Sequence, residues 1–116
     1  MEYIRNALAE LKAILDVNGI SFNDLDCANI YVNTWNMERQ FVFDSKKDSV
    51  NVLTDFLKEI DYKPGFGRQE LYGEILTNRN SWIERGEYDG SEWWEYKTIP
   101  TKEDVLSAKY KDIYNI

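Results

Sequence analysis

Asp89-Gly90 stands between two alternating runs, residues 81–88 and 91–99, and constrains this chain more than any other pair of residues. Asp-Gly fills a two-residue type I′ turn, whose central residues both need φ > 0. The turn sets a register in which Tyr88 faces Ser91, Glu87 faces Glu92, Gly86 faces Trp93, Arg85 faces Trp94 and Glu84 faces Glu95. Like charges directly opposite each other destabilise a hairpin. Two such glutamate pairs predict compensation from outside the hairpin.

Periodicity and breaks predict the other elements. Ile4, Leu8, Leu11 and Leu15 recur at helical spacing until Asn18-Gly19, which predicts a helix over residues 2–17. Strands follow over 28–35 and 39–44, joined at Asn36-Met37-Glu38. Asp48 or Ser49 caps a second helix with the apolar stripe Leu53, Phe56, Leu57 and Ile60. After the Gly/Pro-rich loop at 63–67 comes a strand over 69–77, then the hairpin strands. Thr101 and Asp104 stand at capping-box spacing, and Leu106, Tyr110 and Ile113 share a face of a short C-terminal helix. The order α-β-β-α-β-β-β-α, with hairpin connections between neighbouring strands, predicts one α+β domain over residues 1–116. Its architecture is an antiparallel β-sheet with helices packed on one face.

Charge and composition narrow the function. Acidic residues number 21 against 14 basic ones, for a net charge of −7, and the chain has no histidine. The surplus of acids occurs in both halves of the chain, so it belongs to the folded surface. Such a surface repels phosphate backbones and attracts cationic ones, which predicts a basic protein partner and no direct nucleic-acid binding. Without histidine the Ser-His-Asp and Cys-His mechanisms are excluded, and the lone Cys27 excludes an internal disulfide and a cysteine zinc site. No apolar stretch is long enough for a signal or a membrane span, so a soluble protein, cytoplasmic by default and without membrane contact, is expected.

If Asn78-Arg79-Asn80 forms a three-residue turn pairing Thr77 with Ser81, then Glu74, Glu84 and Glu95 line up across three strands on one face. Leu76, Trp82 and Lys97 flank this row on one side, and Tyr72, Gly86 and Trp93 on the other. The opposite face holds Ile75, Ile83 and Tyr96, then Gly73, Arg85 and Trp94, then Leu71, Glu87 and Glu92. Its apolar centre makes it the face that helices cover, with Gly73 leaving room for Arg85 to stack on Trp94. A slip of one residue in the turn would move Glu74 to the other side. Three readings fit the carboxylate row: a solvated face, a docking surface with Trp and Tyr anchors, and a metal or acid–base site.

Other features read as structure. Gly65-Phe66-Gly67 precedes a strand and lacks the helix and lysine of a phosphate loop. Asp24-Leu25-Asp26 lacks the rest of a calcium loop and fits a turn or strand entry. Tyr31 and Trp35 alternate with Ile30 and Val32, as core packing requires, and Cys27 is expected to be a small buried hydrophobe.

The run from Gly65 to Ile75, with Trp82-x-x-Arg85 and the string Glu87-Tyr88-Asp89-Gly90-Ser91-Glu92-Trp93-Trp94, resembles segments of small bacteriophage and prophage accessory proteins of unassigned function. The resemblance spans about residues 65–100. It implies a protein that acts by binding a bacterial host protein, including components of nucleic-acid-targeting defence systems. Combined with the charge, it leads to an expected anti-defence, anti-CRISPR-like inhibitor in the host cytoplasm, with no catalytic residue, cofactor or metal. On this reading an acidic, aromatic sheet face fills a basic nucleic-acid-binding groove. Glu74, Glu84 and Glu95 supply charge, Tyr72, Trp82 and Trp93 anchor, and Glu87, Tyr88, Asp89 and Glu92 form a tip. The chain is monomeric or homodimeric on this view. The alternatives are a small carboxylate-metal phosphodiesterase or nuclease, and a structural or carbohydrate-binding phage module.

Overall fold

A computed structural model describes residues 4–65 and 67–108. Ser81 to Tyr88 (β6) and Ser91 to Thr98 (β7) pair in the register that the Asp-Gly turn dictates, from Tyr88↔Ser91 to Glu84↔Glu95 and on to Ser81↔Thr98. Asp89 and Gly90 take φ of 52° and 88°, the left-handed values a type I′ turn needs. Leu71–Thr77 (β5) meets β6 through Glu74↔Glu84, Ile75↔Ile83 and Leu76↔Trp82, so the three-residue turn at 78–80 holds. Leu25–Thr34 (β2) and Met37–Asp44 (β3) form the other hairpin, with only Trp35 and Asn36 between them. These strands make one antiparallel five-stranded sheet in the order β3-β2-β5-β6-β7.

Two helices cover one face. Asn6 caps Ala7–Val17 (α1) by accepting from the Ala9 N–H, and Ser49 caps Val50–Lys58 (α2) through the Asn51 N–H. Their stripes, Ala7, Leu11 and Leu15 with Leu53, Phe56 and Leu57, meet Ala28, Ile30, Val32, Phe43, Leu71, Ile75 and Ile83 of the sheet in one core. The first helix is shorter than its periodicity predicts. Arg5–Asn6 (β1) is instead extended and pairs with Asp61–Tyr62 (β4) in a two-stranded sheet, because the Asn6 side chain serves as the cap. The Thr101/Asp104 capping box forms and starts Lys102–Ser107 (α3). That helix has no buried residue, so it adds nothing to the covering layer. Tyr110 and Ile113 lie outside the described residues.

Three residues expected in the core are not there: Tyr31 pairs with Gln40 and Tyr72 on the uncovered face, and Trp35 and Cys27 also lie outside it. Trp35 occupies the β2–β3 turn and is 85% exposed, because the turn falls one residue earlier than the sequence suggests. Cys27 pairs across to Asp44 and Leu76 on the uncovered face and is only partly buried. Its thiol pKa is raised by partial desolvation and by Asp26 and Asp44, which disfavours a reactive thiolate. Among the described residues no helix is long and apolar enough to cross a membrane.

Candidate functional site on the open sheet face

Strict alternation puts Val42, Asn29, Glu74, Glu84 and Glu95 in one row across all five strands of the uncovered face. The row of Asp44, Cys27, Leu76, Trp82 and Lys97 lies on one side of it. On the other side are Gln40, Tyr31 and Tyr72, with Gly86 and Trp93 on the last two strands. The three glutamates are thus brought to one face with all three aromatic anchors, as the register predicts.

The glutamates differ in their surroundings. Trp82 Nε1 donates to Glu84 Oε1 at 2.9 Å, and Trp93 Nε1 donates to Glu95 Oε1 at 2.9 Å. Both units place an indole N–H against the carboxylate two residues on, along the same side of a strand. Gly86 permits the second one: a Cβ there would stand 2.6 Å from Trp93 Nε1 and 2.7 Å from Glu95 Oε1. Lys97 Nζ then bridges the pair, 3.1 Å from Glu84 and 3.5 Å from Glu95. The Trp82 hydrogen bond first, and then Lys97, hold the Glu84 carboxyl below its usual range, while Glu84 chiefly raises the Lys97 ammonium. Glu74 has no hydrogen-bond or ion-pair partner among the described residues, and it is exposed. Among those residues no three acidic or thiol side chains are grouped so that they could hold one metal ion. The row is a line of separated anions, not a cage.

Lys97 belongs to the hairpin, so the first glutamate pair is compensated from within it and not from outside as expected. The second is compensated on the covered face, by Arg85 of the hairpin and by backbone N–H groups outside it. Glu92 is fully buried, and it is the acid that the expected tip loses to the interior. Its Oε1 accepts from Arg85 Nη2 at 3.0 Å and from the Leu71 N–H at 3.0 Å, and its Oε2 accepts from the Glu70 N–H at 2.7 Å. Arg85, only 2% exposed in its side chain, also donates to Glu10 Oε1 at 3.0 Å, to the Tyr62 hydroxyl at 2.8 Å and to the Leu71 carbonyl at 3.2 Å. Its guanidinium carbon lies 4.7 Å from the Trp94 ring centroid and 5.4 Å from that of Tyr62. The stack with Trp94 forms as expected, but Gly73 is needed elsewhere: a Cβ there would approach the Asn29 carbonyl at 3.0 Å and Ile30 at 3.2 Å. Tyr62 donates to Glu10, and Arg5 donates to Glu10 Oε2 and to the Glu92 carbonyl, both at 2.7 Å. Arg5, Arg85, Glu10 and Glu92 therefore share one network that joins β1, α1, β4, β5, β6 and β7.

Sequence reasoning missed Glu10 and Tyr62. Glu10 had a legible signal, since it sits three residues after Ala7 and four before Ile14, on the inward side of α1. Glu87, opposite Glu92, turns to the hairpin end and accepts the Gly90 N–H at 2.9 Å. Tyr88 is 75% exposed and Asp89 is exposed, so the tip surface consists of Glu87, Tyr88 and Asp89. The tip is also docked: the Gly65 N–H donates to the Gly90 carbonyl at 2.6 Å.

The Arg85–Glu92 pair shapes the open face from below. Ladder pairing between β5 and β6 ends at Glu74↔Glu84, and the Arg85 and Glu92 side chains serve the backbone of Glu70 and Leu71 in place of β6. Where the strands part, a cleft of about 480 Å³ opens between Tyr31, Tyr72, Glu74 and Glu84. A second, more apolar depression of about 600 Å³ lies over Cys27, Val42, Leu76 and Trp82. No family model, no curated protein and no solved structure matches this chain.

Proposed function

We propose that this chain is a phage-type accessory protein that inhibits a bacterial host protein by laying its open sheet face into a basic, nucleic-acid-binding groove. One observation supports this most. The uncovered face carries Glu38, Asp44, Glu74, Glu84 and Glu95, with the cation Lys97 among them and Arg68 near Tyr31 at its margin, and sets Tyr72, Trp82 and Trp93 among them. Aromatic anchors within a charged surround are the make-up of binding hot spots, and a field of one sign steers a partner of the other. The Trp82–Glu84 and Trp93–Glu95 hydrogen bonds hold both side chains of each unit before any partner arrives, which lowers the entropy lost on binding. An anti-defence role follows from the resemblance of residues 65–100 to phage accessory proteins.

The test is a tagged pull-down from nuclease-treated bacterial lysate at low salt. Wild type should retain a basic nucleic-acid-handling protein that added salt or an excess of DNA or RNA releases. The variant Glu74→Gln/Glu84→Gln/Glu95→Gln should not retain it. Glutamine serves better than lysine here, because reversal would surround Lys97 with further cations. Equal capture by the triple variant would show that this face is not the interface.

A further inference from the structure

We infer that the cleft between Tyr31, Tyr72, Glu74 and Glu84 seats an arginine side chain of the basic partner. The inference rests on the open face being the interface, and it names the chemistry that the face reads. The tyrosine hydroxyls of the cleft are spent inside the protein, so they present ring faces to the opening beside the Glu74 and Glu84 carboxylates. The Tyr31 hydroxyl donates to Glu38 at 2.6 Å, and the Tyr72 hydroxyl donates to the Gln69 carbonyl at 3.1 Å. Gln69 Nε2 is spent on the Leu71 carbonyl at 2.7 Å, and Asn29 Oδ1 accepts from Gln40 at 2.9 Å. What remains toward the opening is the Glu74 carboxylate, the second oxygen of Glu84, the Asn29 amide NH2 and the rings of Tyr31 and Tyr72. Those rings stand 5.6 Å apart at 45° and make an angled wall.

A wall of rings beside an unpaired carboxylate suits a guanidinium. Its plane stacks on an aromatic face while its fork donates twice to one carboxylate. An ammonium offers neither the plane nor the fork. Arg85 also borders the cleft, but its guanidinium is held on the covered side by Glu10 and Glu92, and Arg68, near Tyr31, is the protein's own cation at the rim, against which the Glu74 and Glu84 carboxylates stand. A second observation on the same surface points the same way. Lys97 already seats an ammonium on Glu84 and Glu95 next door, so these carboxylates accept a cation in this setting. Glu74, the member of the row that Lys97 does not reach, is the one left for the partner.

Calorimetric titration of the full chain with hexa-arginine and hexa-lysine peptides at low ionic strength tests this. Hexa-arginine should bind about tenfold or more tightly than hexa-lysine. Glu74→Gln and Tyr72→Ala should each remove most of that preference, whereas Tyr72→Phe, which keeps the ring, should retain it. An unchanged melting temperature for Glu74→Gln guards against misfolding, since that side chain is exposed. Equal affinity for the two peptides, or an arginine preference that survives Glu74→Gln, overturns the arginine seat even if the pull-down succeeds. An arginine preference centred on Glu74 with no basic host protein captured keeps the seat and removes the inhibitor reading.

Discussion

Arg85 and Glu92 face opposite ways from what their chemistry suggests: two charged residues in the interior of a hairpin whose surface already holds acids. Burying a charge is tolerated only when it is paired and hydrogen-bonded. Glu92 meets that condition with three donors, two of them backbone N–H groups. Glu92→Ala would leave Arg85 short of an anion and Glu70 and Leu71 short of an acceptor. It should cost about 3–5 kcal/mol in urea unfolding, whereas Glu95→Ala, at the half-exposed Lys97 bridge, should cost less than about 1 kcal/mol. Equal costs would show that the interior network contributes no more than a surface bridge. Tyr62 adds a pH dependence. Burial foremost, and the Glu10 carboxylate, hold its phenol above the ordinary range, with Arg85 pulling the other way. A raised folded pKa means that this contribution is complete below the unfolded value of about 10 and is lost as the pH rises above it. Tyr62→Phe should lower stability at neutral pH yet flatten the alkaline decline, read from urea midpoints across that range.

At the scale of elements, the β6–β7 hairpin is tied down at both ends. Its tip docks through the Gly90 carbonyl, where a Cβ would stand 3.0 Å from the Gly67 carbonyl in a residue already at φ 88°. Gly90→Ala should therefore destabilise by about 1–3 kcal/mol, from left-handed strain and the close approach together. Comparison with Gly19→Ala, whose φ is 68° and whose Cβ would meet nothing, isolates the docking component in the same unfolding assay. If the two substitutions cost the same, the tip contact contributes nothing. The early end of the β5–β6 ladder is the other elemental event. It gives Arg85 and Glu92 backbone partners below the sheet and opens the cleft above it.

For the whole molecule, the layers are unequal. The helices α1 and α2 shield one face, α3 buries no residue, and among the described residues no helix packs on the carboxylate face. Local stability should follow that order. In native-state hydrogen exchange, central amides of β2 and β5, paired on both sides, should be the slowest, and those of α3 among the fastest. Comparable protection of α3 would mean that it is held by packing beyond its own capping box. Binding by the open face would then leave the core untouched, because the residues that make it face away from α1 and α2.

What the sequence determined by itself is whatever short-range chemistry dictates. The Asp89-Gly90 turn has one comfortable geometry, so the register from Tyr88 to Glu84 follows, and the placement of Glu84 opposite Glu95 with it. Alternation then assigns sides, and the bulk of Ile75 and Ile83 tells which side is covered. Caps at Ser49 and Thr101 were legible for the same reason, since they act over two and three residues. Only the tertiary structure decided the pairing of β2 with β5, which joins residues 39 to 52 positions apart across α2 and needs the shared core to select it. It also decided the burial of Glu92. A glutamate in a polar run reads as surface, and only the arrival of Arg85, Glu10 and the unpaired backbone of β5 makes its interior position favourable. The cleft at Tyr72 and Glu74 has the same origin: it exists where two strands part, and that parting is fixed by side chains on the other face of the sheet.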